Sequence, residues 1–409
     1  MSADLRVLLV APHISGTATG EGFAAFKIAE ALQDRVRLSV MALQSPRHAP
    51  LAAQLPRAAV TTWPEPAWLH RVPRLRAMLK PEMQVLSARV RAALRAGPGR
   101  FDIAHQIKPA AMRYGTPLRG HGFPYVLGPF GGTLDTPPAF AAEAERVPWY
   151  TRLRDIDRLR LRRDPWLRAA ISEAALVLGV APYIAATLAA ARLPVRRYAD
   201  MVAIGIDALP PPPPPRPAGG PLRLLHVGRA VRTKGLRDTV RALALLRDLP
   251  GLHLDSAGAG EDLDACRREA QALGVAERVT FHGQLPRARV EALYAAADVF
   301  VFPSFREPAG QVLYEAMRWG LPVIGAARGG PDAILDDSCA IKLPVTDPQR
   351  FAAAIAAAIR RLADDPALRA RLGAGGRTRL AGEGLWTAKA DRLVADYARV
   401  VAEEREGRG

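Results

Sequence analysis

The sequence predicts an α/β protein built from two doubly wound domains. Three observations carry this. Short, continuous apolar runs alternate with amphipathic helical patterns in both halves of the chain, the mark of parallel strands buried on both faces. At 409 residues the chain is too long for one ordinary core and suits two. Six consecutive prolines, Pro210 to Pro215, interrupt the pattern near the middle, where a stiff polyproline spacer joins two bodies more readily than it sits in a sheet.

The elements follow in order. In the first half, strands are expected at Arg6–Ala11, Val36–Met41, Pro124–Gly128, Ala175–Val180 and Met201–Ile204, with a helix at Phe23–Leu32 after the first. In the second half they are expected at Leu222–Val227, Leu252–Leu254, Val279–Phe281, Val299–Phe302 and Pro322–Gly325. The helices between and after them are Leu236–Leu246, Asp262–Leu273, Ala288–Ala297 and Phe351–Leu362. This divides the chain into a first domain over residues 1–207, a Pro-rich linker over 208–220, a second domain over 221–383 and a terminal helix over 384–409. In open parallel sheets ligands bind at the carboxyl ends of the strands, so a cleft shared by the two domains is the expected site.

Charge narrows the partners. The net charge is +17, which draws a protein to polyanions of any kind. Residues 1–209 hold 28 Lys and Arg against 16 Asp and Glu, and residues 210–409 hold 29 against 24, so the surplus sits in the first half. No helix-turn-helix, RNA-recognition or zinc-finger pattern accompanies it, which argues against nucleic acid as a partner. Cys266 and Cys339 lie in no Cys/His cluster, and neither a metal site nor a disulfide framework is expected. The apolar run at residues 7–11 turns at once into Pro12-His13, unlike a signal peptide. The uncharged stretch Ala174–Ala191 is broken by Pro182. The expected location is cytoplasmic, with peripheral contact on the inner face of the cell membrane.

The second half carries the chemistry. After the strand ending at Val227 come Gly228, Arg229, Lys234 and Gly235, then a helix. Gly228 allows close backbone approach, and the two cations flank the positive end of the helix, a good setting for a diphosphate. Alone, the pair fits a solvated surface turn as well. Strand Val299–Phe302 runs into Pro303-Ser304-Phe305-Arg306-Glu307-Pro308-Ala309-Gly310-Gln311-Val312, and Glu315 follows one turn inside the next helix. Two carboxylates so spaced suit sugar or ribose hydroxyls, which need acceptors. Acidic residues also favour helix starts for the dipole alone.

The set as a whole resembles the nucleotide-sugar-binding domain of family 4 glycosyltransferases of the GT-B fold, two Rossmann-like domains facing across a cleft. The resemblance rests on the Gly-Arg…Lys-Gly turn, Ala297-Asp298-Val299-Phe300-Val301-Phe302-Pro303-Ser304, the Glu307…Glu315 pair, and Gly320-Leu321-Pro322-Val323-Ile324 in that order. It implies a nucleotide-diphosphate-sugar donor, retention of anomeric configuration, and no cofactor or metal. Carried over by position, it implies that Arg229 and Lys234 hold the diphosphate, Glu315 the ribose, and Glu307 the donor sugar, with Ala309, Gly310, Gln311 and Val312 lining the sugar and phosphate. Gly258 and Gly260 would let the chain pass the nucleotide, and His282 and Gly283 would lie near the base. Pro308 and Ala309 replace the family's Gly-Phe, so Pro308 removes a backbone donor and the sugar pocket differs.

In the first half, the resemblance implies that Gly16, in the loop Pro12–Gly22, faces the cleft. Phe101-Asp102-Ile103-Ala104-His105 resembles the family's strand ending in histidine, which makes His105 a candidate catalytic residue or a structural one. Gly131 and Gly132, in Gly128-Pro129-Phe130-Gly131-Gly132-Thr133, would line the cleft floor, with Thr133 where a glycine is usual. Two basic stretches remain. One is Arg71–Arg100. The other is Arg146–Arg168, where Tyr150, Leu153, Ile156 and Leu159 recur every three residues among arginines. The second resembles an interfacial helix for an anionic membrane, or an ordinary surface helix. The leading expectation is a sugar transfer to a lipid, lipid-linked or surface-glycan acceptor. A small soluble acceptor and a sugar-nucleotide epimerase of related fold are the alternatives.

Overall fold

A computed structural model describes residues 4–71, 80–97, 101–143, 154–212 and 220–407. Residues within 4–133, 154–203 and 386–407 form one compact unit, and those within 134–143, 204–212 and 220–385 form another.

The first unit is built on seven strands: β1 (Arg6–Ala11), β2 (Arg37–Gln44), β3 (Ala59–Pro64), β4 (Ile103–Gln106), β5 (Tyr125–Phe130), β6 (Leu176–Gly179) and β7 (Tyr198–Asp200). They lie in the order β3-β2-β1-β4-β5-β6-β7, and every pairing is parallel. Its helices include α1 (Glu21–Leu32), α2 (Glu82–Arg95), α3 (Arg154–Arg163) and α4 (Pro165–Ser172). Asp164 caps α4 by accepting the amides of Trp166 and Leu167, both at 3.1 Å, and Pro165 sits at the first helical position, where a missing N–H costs nothing.

The second unit has six parallel strands: β8 (Arg223–Val227), β9 (His253–Ala257), β10 (Val279–Gly283), β11 (Val299–Phe302), β12 (Val323–Ala326) and β13 (Ala340–Leu343), ordered β10-β9-β8-β11-β12-β13. The helices that bear on the site are α5 (Leu236–Ala244), α6 (Arg287–Ala296) and α7 (Gln311–Arg318). Each sheet turns back on itself once, between β1 and β4 in the first unit and between β8 and β11 in the second. Such reversals open a crevice at the carboxyl ends of the two strands.

The expected two-sheet α/β class is found, with two differences in detail. Strand β3 and strand β13 were not expected, and the last strand of the first sheet is Tyr198–Asp200 rather than the expected Met201–Ile204, because an edge strand of intermediate burial need not coincide with an apolar run. β3 lies at a sheet edge, so its residues alternate between half-buried and exposed and lack a continuous apolar run. The other difference is a boundary. Residues 134–143, expected in the first domain, belong to the second unit, because Phe140 is fully buried in that unit's core against Phe305 and Phe351. A long helix near the end of the chain, α8 (Trp386–Glu406), joins the first unit's core through Trp386, Leu393, Tyr397 and Val400. Most of the Pro-rich linker, residues 213–219, lies outside the described residues.

Candidate functional site

The loops after β8, β9, β10 and β11 meet at one edge of the second sheet. The Gly228 amide donates to Ala257 (3.0 Å), Ala230 to Ala259 (3.0 Å), Asp262 to Ala230 (2.8 Å) and Gly258 to Gly283 (2.8 Å). Such close passage leaves no room for side chains. A Cβ on Gly258 would sit 1.8 Å from the Gly228 carbonyl oxygen, and one on Gly260 2.4 Å from that of Ala230. Gly235 has φ +78°, and a Cβ there would sit 2.4 Å from the Pro303 oxygen. Glycine at these positions brings the β8 turn against the β11 loop.

That approach unites Lys234 and Glu307, 73 residues apart in sequence, in an ion pair at the β8–β11 reversal. Both side chains are largely buried, and the Lys234 ammonium lies 5.6 Å from the centre of the Phe302 ring. Glu307 is oriented by its own loop: its Oε1 accepts from the Ala309 amide at 3.1 Å, and its carbonyl accepts from Gly330 at 2.7 Å. Gly310, at φ +93°, starts α7. Arg229 is exposed and makes no side-chain hydrogen bond or ion pair among the described residues. The two expected diphosphate ligands therefore differ: Lys234 is clamped to a carboxylate and Arg229 is not.

Glu315, one turn inside α7, is engaged on both oxygens. Arg287, at the start of α6, donates to Oε1 at 2.7 Å, and the Tyr294 hydroxyl donates to Oε2 at 3.1 Å. Burial, with Glu315 beside it, pushes the Tyr294 hydroxyl well above the usual tyrosine range, so it stays a donor. Arg287 was not legible as part of the site. His282, near the expected base position, bonds through Nε2 to Asp255 at 2.7 Å. Gln311 and Val312 occupy the first turn of α7, where amides lack helical partners.

A buried charge network stands beneath these loops. Arg232 is 4% exposed and bonds Asp238 through both terminal nitrogens, at 2.6 and 2.9 Å, and Glu143 through Nε at 2.8 Å. Its guanidinium lies 5.2 Å from the Phe140 ring and 5.3 Å from Phe305. The segment bearing Glu143 also accepts hydrogen bonds at Leu134 and Asp135, from Arg306 (3.0 Å) and Arg328 (2.6 Å). Residues 134–143 thus fasten both loops that supply the Lys234–Glu307 pair, a role no local sequence signal announces.

The first-unit candidates divide. His105 is fully buried rather than open to a site. Its Nε2 donates to the Gly128 carbonyl at 2.8 Å, and its Nδ1 accepts from the Tyr397 hydroxyl at 2.5 Å. Burial pushes its pKa down to about 4, so the ring is neutral at pH 7. The Gly16 amide donates to Gln54 at 2.8 Å, and a Cβ there would meet the Phe26 ring at 2.9 Å. Gly131 donates to Ala110 at 2.7 Å, and Gly132 has φ +87°. Thr133 has φ +57°, a left-handed conformation that costs a β-branched residue.

Of the basic stretches, residues 72–79, 98–100 and 144–153 lie outside the described residues, as do the side chains of Arg71 and Ile156. With them go Tyr150 and Leu153 of the expected apolar stripe. On α3, Leu161 is buried, and Asp157 is buried against Arg113 at 2.9 Å. Leu159 is 48% exposed and Trp166 77%, among exposed Arg158, Arg162 and Arg163. No helix among the described residues is long and apolar enough to cross a membrane.

Comparison with known proteins bears on the family and the fold. Residues 213–379 match the family model "Glycosyl transferases group 1". A 2-deoxystreptamine glucosyltransferase from Streptomyces kanamyceticus is 30% identical over 313 residues, 70% of this chain and 77% of that protein. A glycogen synthase from Mycobacterium tuberculosis is 34% identical over 205 residues, so the match spans about half of each, 49% of either chain. Among solved structures, Anabaena Alr3699/HepE in complex with UDP superposes with a TM-score of 0.64 at 18% identity, over 97% of this chain and 100% of that one. The lipopolysaccharide outer core galactosyltransferase WaaB superposes with the same score at 14% identity, over 97% and 100%.

Proposed function

The chain belongs to the group 1 glycosyl transferases, and on that premise we propose that it moves a sugar, with retention of configuration and without a metal, from a nucleotide-diphosphate sugar to a lipid or lipid-linked acceptor at the cytoplasmic membrane face. The observation that carries the donor assignment is the Lys234–Glu307 pair at the β8–β11 reversal. A donor supplies each partner with a replacement: the diphosphate takes the ammonium, and sugar hydroxyls take the carboxylate. Breaking the sugar–phosphate bond leaves charge on the diphosphate; Lys234 and the first amides of α7 are preorganised for it, and the exposed Arg229 adds a second cation. Glu315, oriented by Arg287 and Tyr294, accepts from ribose hydroxyls. The acceptor attacks on the face the diphosphate leaves, and the departing phosphate oxygen takes the acceptor's proton, so no protein base is required. His105, neutral and buried, acts as a support for the Gly128–Thr133 loop.

The membrane assignment is supported by Leu159 and Trp166, exposed among arginines on α3 and α4. A second reading, a small soluble acceptor, is favoured by the 2-deoxystreptamine glucosyltransferase, which aligns over most of its length. An assay of radiolabelled sugar transfer with lipid-linked and soluble acceptors tests both. A folded Lys234→Ala variant that keeps full transfer would remove the donor assignment. Failure of the wild-type chain to sediment with anionic vesicles at low salt would remove the membrane one.

A further inference from the structure

The first sheet reverses between β1 and β4, and its crevice carries an unexplained charge. Lys108, two residues past β4, is 3% exposed, and its ammonium makes no hydrogen bond among the described residues. Glu21, the first residue of α1 after β1, is a carboxylate neighbour. That carboxylate is already engaged: Oε2 accepts from the Lys80 ammonium at 2.5 Å, and Oε1 from the Ala110 amide at 3.4 Å. Burial works against the charge on Glu21, but the two lysines hold its carboxyl below the ordinary range. Burial and Lys80 push Lys108 down, and Glu21 opposes them. Lys80 is thus ion-paired to Glu21, and Lys108 lies near the same carboxylate at a switch-point crevice, where ligands of such sheets bind. An ammonium has three donors, and no acceptor among the described residues takes those of Lys108. An oxyanion with several acceptor atoms matches two such ammonium groups.

We propose that Lys108 and Lys80, beside Glu21, form an oxyanion site that takes a phosphate ester. That the ester belongs to the acceptor rests on the transferase reading above; the site itself does not. Phosphate fits better than a neutral polyol because the cluster carries one surplus positive charge. The ester has two possible carriers, a soluble sugar phosphate or the headgroup of a lipid-linked glycan, and both present the same group.

The test uses the full chain and thermal unfolding in sodium phosphate against sodium chloride of equal ionic strength. Phosphate should raise the midpoint of the wild type, and equally that of Lys234→Ala, which separates this site from the donor site. Lys108→Met should bind phosphate about tenfold more weakly or less, as one lost charge-assisted contact implies, and Lys80→Met should fall between. Lys108→Met removes a buried charge, so without phosphate it should melt no lower than the wild type. Should it fail to fold, Lys80→Met decides alone. Glycerol 3-phosphate, and phosphatidylcholine vesicles with and without phosphatidic acid, then identify the carrier: the one whose binding weakens in the lysine variants is the source. A wild-type midpoint indifferent to phosphate, or lysine variants that respond as the wild type does, would overturn the site. Loss of the phosphate response in Lys234→Ala would instead reassign the anion to the donor.

Discussion

The two sheets reverse direction in the same way and arm the reversal with opposite arrangements of charge. At β8–β11 the cation follows the first strand and the carboxylate the second, Lys234 to Glu307, one to one. At β1–β4 the carboxylate follows the first strand and a cation the second: Glu21 is ion-paired to Lys80, and Lys108 lies near it as an added cation. The balanced pair suits a ligand that brings both an anion and hydroxyls. The unbalanced cluster suits an anion alone. One topology thus offers two crevices of different appetite, and the difference comes from a few loop residues rather than from the sheets.

The largest effect should come from what braces the second crevice. Phe140 fills the second unit's core from the segment that fastens the Lys234 and Glu307 loops, so Phe140→Ala should cost about 3–5 kcal/mol in urea unfolding. Phe140→Leu should cost far less. Equal losses for the two would mean the ring is not packed as described.

Next is the balanced pair itself. Lys234→Ala should lower kcat/KM by about 10²–10³-fold, since a preorganised cation is lost from the leaving group. Lys108→Met should raise the acceptor KM by roughly tenfold and spare kcat, since it acts through binding. Exchanged signatures would invert the assignment of the two crevices.

Each reversal is bordered by a buried neutral histidine, His105 on β4 and His226 on β8. Burial depresses both to about 4 from an ordinary 6.5. The unfolded chain therefore binds these protons at higher pH than the folded one. Their contribution is complete above pH 6.5 and is lost as pH falls toward 4, by about 3 kcal/mol each at most. Urea midpoints measured from pH 7 to pH 4 should fall across that window. His226→Phe should flatten the fall by about half. A flat wild-type profile would mean the rings are solvated.

The smallest effect is at Thr133. Thr133→Gly should raise stability by about 1 kcal/mol by relieving φ +57°, measured as a higher melting midpoint. No gain would mean that its contact with Thr187 at 3.3 Å offsets the strain.

Much of this architecture was legible in the chain. The apolar runs at residues 6–11 and 299–302 needed no tertiary context, because strands buried on both faces advertise themselves. The Gly-Arg…Lys-Gly turn and the Glu307…Glu315 spacing were visible because backbone crowding and helix geometry act over short distances. Edge strand β3 was hidden by its mixed burial. Arg232, Glu143, Arg287 and Lys108 were hidden for another reason: each matters through a partner the fold supplies from elsewhere, such as Glu143 for Arg232 across 89 residues. His105 illustrates the converse. Its strand-end position was readable, but that both its nitrogens serve the interior depends on Tyr397, almost 300 residues away.

The most direct measurement is thermal unfolding of the wild type and Lys234→Ala with UDP, GDP and ADP. Binding to the folded state alone raises its midpoint. The donor assignment predicts that at least one of the three raises the wild-type midpoint and that the same nucleotide leaves Lys234→Ala almost unmoved. An equal rise in both proteins, or none with any nucleotide, would contradict it.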